Sequence, residues 1–211
     1  MRFLSLLVLS SLISVSVANA DISQTGPGAT INDLSTASSS IFVTTPEIVS
    51  DVFIDINGFN HTFIGNLQVT LTHVETGSSA TLFDGVGAVG NVGLGDGSDL
   101  GDSYNFGNGF PFDLWSAAAA AGDADVIPGG PYFATDLNGA AVDIGAMFAG
   151  ENTVGEWRLD VFDRANGDTG SFNDWGIRII SSPVPEPSSL FAMLAIGCAA
   201  LSRRKRQIKP R

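Results

Sequence analysis

Four stretches of this 211-residue chain alternate apolar and polar side chains with a period of two, and that rhythm narrows the fold more than any other feature. Val52, Ile54 and Ile56 interleave with Asp51, Phe53 and Asp55, and Leu67, Val69 and Leu71 with Gln68, Thr70 and Thr72. Trp157, Leu159 and Val161 interleave with Arg158, Asp160 and Phe162, and Trp175, Ile177 and Ile179 with Gly176, Arg178 and Ile180. Neighbouring side chains on a strand point to opposite faces, so these runs predict strands buried on one side only. Gly, Asn, Asp and Ser clusters between them supply turns. Ser116–Ala121 is the one good helix former, and its six residues make barely two turns. Many short strands with no alternating helices predict an all-β domain, a sandwich or barrel. Gly85–Gly109, rich in Gly, Asp and Asn, predicts a long loop carrying one short strand.

The two ends do not share this rhythm. Residues 1–20 begin with Arg2, run apolar from Phe3 to Val17 and finish in Ala18-Asn19-Ala20. That order predicts a signal peptide cut by signal peptidase before Asp21. At the other end, Val184-Pro185-Glu186-Pro187 precedes fifteen uncharged residues, Ser188 to Ser202, and the basic cluster Arg203, Arg204, Lys205 and Arg206. A helix of that length reaches ~22 Å, short of a ~30 Å hydrocarbon core, and snorkelling basic side chains and local thinning make up the difference. Basic residues prefer the cytoplasmic side, which places the preceding chain outside. The expected division is a signal peptide at 1–20, one domain at 21–183 and a tail at 184–211.

Charge follows the same division. Of 22 acidic residues all but Glu186 lie between 21 and 183, where they meet three arginines and no lysine: 21 carboxylates against three cations, a formal charge of −18. Such a body repels phosphate backbones, which argues against a nucleic-acid partner. It suits cations, basic partners or simple solubility. The single Cys198 lies in the tail, so the body has no disulfide and no thiol chemistry.

The tail resembles the PEP-CTERM sorting signal of Gram-negative bacteria, with the Pro-Glu-Pro motif, short apolar helix and arginine cluster in order over 184–206. The resemblance implies handling by an exosortase, a transient inner-membrane anchor and delivery to the cell surface or exterior. It also implies an association with exopolysaccharide and biofilm.

The body resembles the P domain (P/Homo B) that follows the catalytic domain of subtilisin-like proprotein convertases. The likeness runs from about Ile31 to Ile180 and includes His61-Thr62-Phe63-Ile64-Gly65-Asn66-Leu67, where Asn66 stands in place of the family's usual Asp. Gly101-Asp102-Ser103-Tyr104-Asn105-Phe106 matches a Gly/Asp/Asn-Phe segment. The most specific part is Gly155-Glu156-Trp157-Arg158-Leu159, then Asp163, Asn166-Gly167-Asp168-Thr169-Gly170 and Trp175. The resemblance implies a jelly-roll-like β-sandwich and raises the weight of a calcium site.

Catalytic constellations are scarce. The body has only His61 and His73, no Gly-x-Ser-x-Gly elbow, no His-x-x-x-His pair, and no lysine for a phosphate-binding loop. His61 is expected to fix the turn before its strand by hydrogen bonding, and His73, at a strand end, to lie on the surface. The chain is therefore expected not to be an enzyme. Hard cations want six to eight oxygens in flexible loops. Two segments offer them: Asp96, Asp99 and Asp102 among glycines, and Asp163, Asn166 and Asp168. The same side chains can instead make turns through their own hydrogen bonds. Trp157 and Trp175 are expected in the core on facing strands. Trp115, with Phe110 and Phe112, suits either core packing or stacking on sugar rings.

These observations favour an exported non-catalytic binding module for polysaccharide or a surface protein, stabilised by calcium. Two alternatives remain open: an accessory module that binds a separate secreted protease in trans, and a small hydrolase with an unusual site.

Overall fold

The computed structural model describes residues 20–183. Residues 1–19 of the predicted leader, 1–20, and the tail from Val184 onward, with its motif, apolar stretch and basic cluster, lie outside the described residues.

Among the described residues, eleven strands form two sheets. β1 (Ala20–Ile31), β3 (Glu47–His61), β6 (Leu100–Phe106), β7 (Phe112–Asp113), β8 (Gly130–Thr135) and β11 (Gly170–Pro183) make the larger sheet in the order β1-β11-β3-β6-β8-β7, and β9 (Ala141–Val142) pairs with β8. β2 (Thr36–Val43), β10 (Gly155–Asp163), β4 (Leu67–His73) and β5 (Ser78–Asp84) make the smaller in the order β2-β10-β4-β5. The chain is all-β as the alternation predicts, and of the sandwich or barrel left open it forms the sandwich that the P-domain resemblance implies. Each predicted run puts its apolar phase inward: Val52, Ile54 and Ile56 on β3 and Ile177 and Ile179 on β11 face Val69, Leu71, Leu159 and Val161 from the opposite sheet. Trp157 and Trp175 are fully buried, one from each sheet, as expected of core aromatics on facing strands.

Some elements carry little rhythm of their own. β1 reads Ala-Asp-Ile-Ser-Gln-Thr-Gly-Pro-Gly-Ala-Thr-Ile and owes its extended form to antiparallel pairing with β11 from Ala20↔Ser181 to Ile31↔Gly170. It lies at the sheet edge, where Pro27, lacking an N–H, is tolerated. The expected long loop contains a short 3-10 turn, Val89–Asn91, and all seven residues of β6. Two short helices close the sandwich. α1 (Leu114–Ala121) is capped by Asp113, which accepts from Trp115 N, and α2 (Ile144–Phe148) is capped by Asp143, which accepts from Ala146 N. α2 was not anticipated, because five residues containing a glycine carry no helical period.

His73 departs from expectation. It is fully buried, stacked on Trp157 at 4.4 Å and 9°, with Nδ1 at 2.9 Å from Glu151 Oε2 and Nε2 at 3.2 Å from Val154 O. It continues the inward phase of Leu67, Val69 and Leu71, so the β4 alternation runs one position further than the apolar residues reveal. A buried imidazole is accommodated because both ring nitrogens meet oxygen partners.

Candidate functional site

One end of the sandwich brings together three of the six candidate ligands, Asp99, Asp163 and Asp168. β3 ends at His61, β10 ends at Asp163 and β11 begins at Gly170, with His61 in register with Gly170 and Leu100, and Asp163 with Leu67. The acid-rich segments before β6 and after β10, far apart in sequence, therefore meet. Asp163 and His61 are both fully buried and touch at 3.2 Å, Nε2 to Oδ2. His61 Nδ1 accepts from Phe63 N at 3.2 Å, fixing the turn as expected, and Asp163 Oδ1 accepts from Ala165 N at 3.0 Å. Asp168 is half-buried; its oxygens accept from Thr62 Oγ1 at 2.8 Å and Asn66 Nδ2 at 3.1 Å. Thr62 and Asn66 thus join the site, though neither is among the ligands expected from the sequence. Their spacing after His61 was the available signal, since both lie on the turn that enters β4.

Asp99 approaches from the other segment. Its backbone is pinned by Asp99 N to Asp125 O and Ile127 N to Asp99 O, each 2.9 Å. Within the described residues its Oδ1 is a buried oxygen without a hydrogen-bond partner. Burial first, then the charge of Asp168, raises its carboxyl above the ordinary range; nearby His61 opposes this and Asp125 adds to it. Two carboxylates from separate segments thus repel each other beside an unsatisfied oxygen.

The remaining candidates go elsewhere. Asp96 makes a turn, Oδ1 accepting from Ser98 N at 2.9 Å and Ser98 Oγ at 2.6 Å. Asp102 does likewise with Ser103 N at 2.7 Å and reaches Gly129 N at 3.2 Å. Asn166 is exposed in the turn after β10. Among the described residues no three or more His, Cys, Asp or Glu side chains gather closely enough to hold a metal by themselves. Phe110 packs on Phe53 at 5.5 Å between ring centres, and Trp115 lies partly buried against the core with Nε1 donating to Thr135 Oγ1 at 3.1 Å. Phe112, 51% exposed, lines an apolar groove of about 550 Å³ with Pro111, Pro128 and Tyr132. The three aromatics do not form one platform.

The motif residues have physical duties. Gly155 has φ +142°, and a Cβ there would lie 2.1 Å from Glu75 Oε2. A Cβ on Gly170 would lie 2.1 Å from Asn60 O in the adjacent strand. Trp175 Nε1 donates to Ser39 Oγ at 2.8 Å, tying β11 to β2 across the core.

Comparison with known families agrees. The proprotein convertase P-domain profile matches residues 144–179, spanning α2 to β11, and the PEP-CTERM protein-sorting motif matches 183–207. The chain carries a PEP-CTERM motif behind a body whose last part, 144–179, is similar to the P domain. In proprotein convertases the P domain is a non-catalytic module, and the PEP-CTERM motif marks exosortase-dependent sorting and export in Gram-negative bacteria. No curated protein matches the chain. Among solved structures, that of the Aeromonas sobria serine protease with its chaperone contains a chain 16% identical, with a TM-score of 0.47, covering 79% of this chain and 28% of its own. The structure of the serine protease of Aeromonas sobria shows 18% identity, a TM-score of 0.47 and coverage of 78% and 27%. This P-domain-like chain therefore spans less than a third of the length of those proteins.

Proposed function

We propose that this PEP-CTERM chain is a non-catalytic binding module of the cell surface or extracellular matrix, stiffened at its loop end by calcium and associated with exopolysaccharide. The observation that carries the calcium reading is the buried, partnerless Oδ1 of Asp99 beside Asp168. A hard cation there would satisfy that oxygen and cancel the repulsion between the two carboxylates. Asp99 and Asp168 would hold it, aided by Thr62, Asn66, backbone carbonyls and water. Asp163 would support the turn from within, since its oxygens already serve His61 and Ala165. Asn66 in place of the family's Asp lowers the local negative charge, which implies moderate affinity.

The non-catalytic reading rests on the histidines. Both are fully buried with ring nitrogens engaged, so neither is presented to an outside substrate as a general base.

The test is a thermal melt of the exported chain with millimolar calcium and then with chelator. Calcium at ~100 times its dissociation constant adds ~2.7 kcal/mol when it binds only the folded state. We expect a clear rise, lost in Asp99→Asn and Asp168→Asn. Asp99→Asn is also expected to melt higher than wild type in chelator, because it removes the repulsion. Equal melts with and without calcium would overturn the calcium reading and leave Asp168 as an anchor for Thr62 and Asn66.

A further inference from the structure

The outward face of the smaller sheet presents a groove of about 810 Å³, lined by Thr36, Ser38, Gln68, Thr70, Arg158, Asp160 and Phe162. Ligand sites commonly occupy ~300–1,000 Å³. We propose that this face is the polysaccharide-binding surface, taking an uncharged glycan strand laid across β2, β10 and β4. The proposal rests on the exopolysaccharide reading above and adds the place and charge class of the ligand.

Register puts the groups side by side. Phe162 lies between Thr36 and Gln68, Asp160 between Ser38 and Thr70, and Arg158 between Ser40 and Thr72. Phe162 is on the outward phase of β10, while Trp157, Leu159 and Val161 fill the core, so packing does not require an aromatic there. An apolar ring flanked by an amide and a hydroxyl matches the C–H face and hydroxyl rim of a sugar. Phe42, 66% exposed on the same outward phase of β2, stands six residues along from Thr36. At ~3.3 Å per residue the two are about 20 Å apart, so the face is bounded by aromatics and suits an extended polymer.

The polar centre is already ordered. Asp160 receives Ser38 Oγ at 2.6 Å and Arg158 Nε at 2.9 Å. That preorganisation lowers the entropy lost on binding. It also leaves the groove itself near neutral, since Arg158 and Asp160 compensate each other and its other lining side chains are uncharged, while Glu156 beside Phe42 and Asp84 beside Gln68 place carboxylates at its rim. The surrounding body, at −18, repels a polyanion approaching this face. A neutral groove on such a body fits an uncharged polymer better than an acidic one. The apolar groove beside Phe112 offers fewer partners for sugar hydroxyls.

The experiment is affinity electrophoresis of the exported chain through gels containing hydroxyethyl cellulose, arabinoxylan or galactomannan, with alginate as the polyanion. At least one uncharged polymer should retard the protein and alginate should not. Phe162→Thr should weaken retardation roughly tenfold and Arg158→Gln by a similar factor, with Phe112→Ser unchanged. Threonine keeps β-propensity, and Phe42→Thr, at a far more exposed position, supplies a second variant with unchanged folding. Retardation equal in wild type, Phe162→Thr and Phe42→Thr would keep the polysaccharide reading and overturn this face as its site. Retardation by alginate alone, or by no polymer, would overturn both. A dimer in sedimentation that Phe162→Thr dissociates would make the face a self-association surface and overturn the proposal.

Discussion

Glu151 follows α2, and its carboxylate receives hydrogen bonds from Ser78 Oγ, from Thr76 Oγ1 at 2.8 Å and from His73 Nδ1 at 2.9 Å. Burial alone raises its pKa, but those three bonds and the charge of His73 outweigh burial and hold it below the ordinary value of 4.5. A carboxylate depressed on folding contributes stability that is full above its unfolded pKa and is lost as pH falls through the folded one. The melting temperature should therefore drop more steeply on acidification below about pH 4.5 in wild type than in Glu151→Gln. At neutral pH the variant should be less stable by ~1–2 kcal/mol in denaturant unfolding. Asp99 has the opposite sign: its raised carboxyl means stability falls as pH rises from 3.8 through the folded value, until a cation is supplied. Neither behaviour is legible in the sequence, because both depend on groups many residues away. The inward position of His73 was nearly legible, and was obscured only because a polar residue continued an apolar phase.

At the scale of elements, the sandwich is pinned at its loop end by His61 on β3 and Asp163 on β10, one from each sheet, at 3.2 Å. Asp163→Ala would leave His61 Nε2 buried without its partner, at a cost of ~1–3 kcal/mol. The two residues should be coupled: a double-mutant cycle with His61→Ala and Asp163→Ala is expected to give an interaction of about 1 kcal/mol or more, against near zero for independent sites. Strands with strong alternation, β3, β4, β10 and β11, were readable because one face of each is buried. β1, β8 and α2 were not, since pairing and capping rather than their own apolar period hold them. The candidate metal residues were readable as types, and the turn-forming duty of Asp96 and Asp102 was already one of the two options. The approach of Asp99 to Asp168 was not readable, because it arises from β3 and β6 pairing while β10 crosses to the other sheet.

For the whole molecule, export and surface chemistry are linked through charge. Each of the three body arginines faces a carboxylate: Arg158 with Asp160 at 2.9 Å, Arg178 with Asp21 at 3.7 Å, and Arg164 with Asp84. Carboxylates far outnumber these cations, so the exterior repels other acidic surfaces. The PEP-CTERM motif matched at 183–207 marks exosortase-dependent sorting. Replacing Pro185, Glu186 and Pro187 together by alanine should keep the chain in the membrane fraction, whereas wild type appears in the medium or outer fraction on immunoblots. Equal distribution of the two would separate this chain from exosortase-dependent sorting.

By itself the sequence determined that the body is all-β, that it carries a large negative charge, and that the chain bears a sorting motif after the body. Those properties are local: a side-chain period of two, a count of charges, and a contiguous string of residues each carry their meaning without a partner. Tertiary structure alone decided which acidic residues meet, which histidines are enclosed, and that Phe162, Arg158 and Gln68 share one outward groove. Those outcomes depend on strand register and sheet order, which follow from how all the buried faces close on one another rather than from any single segment.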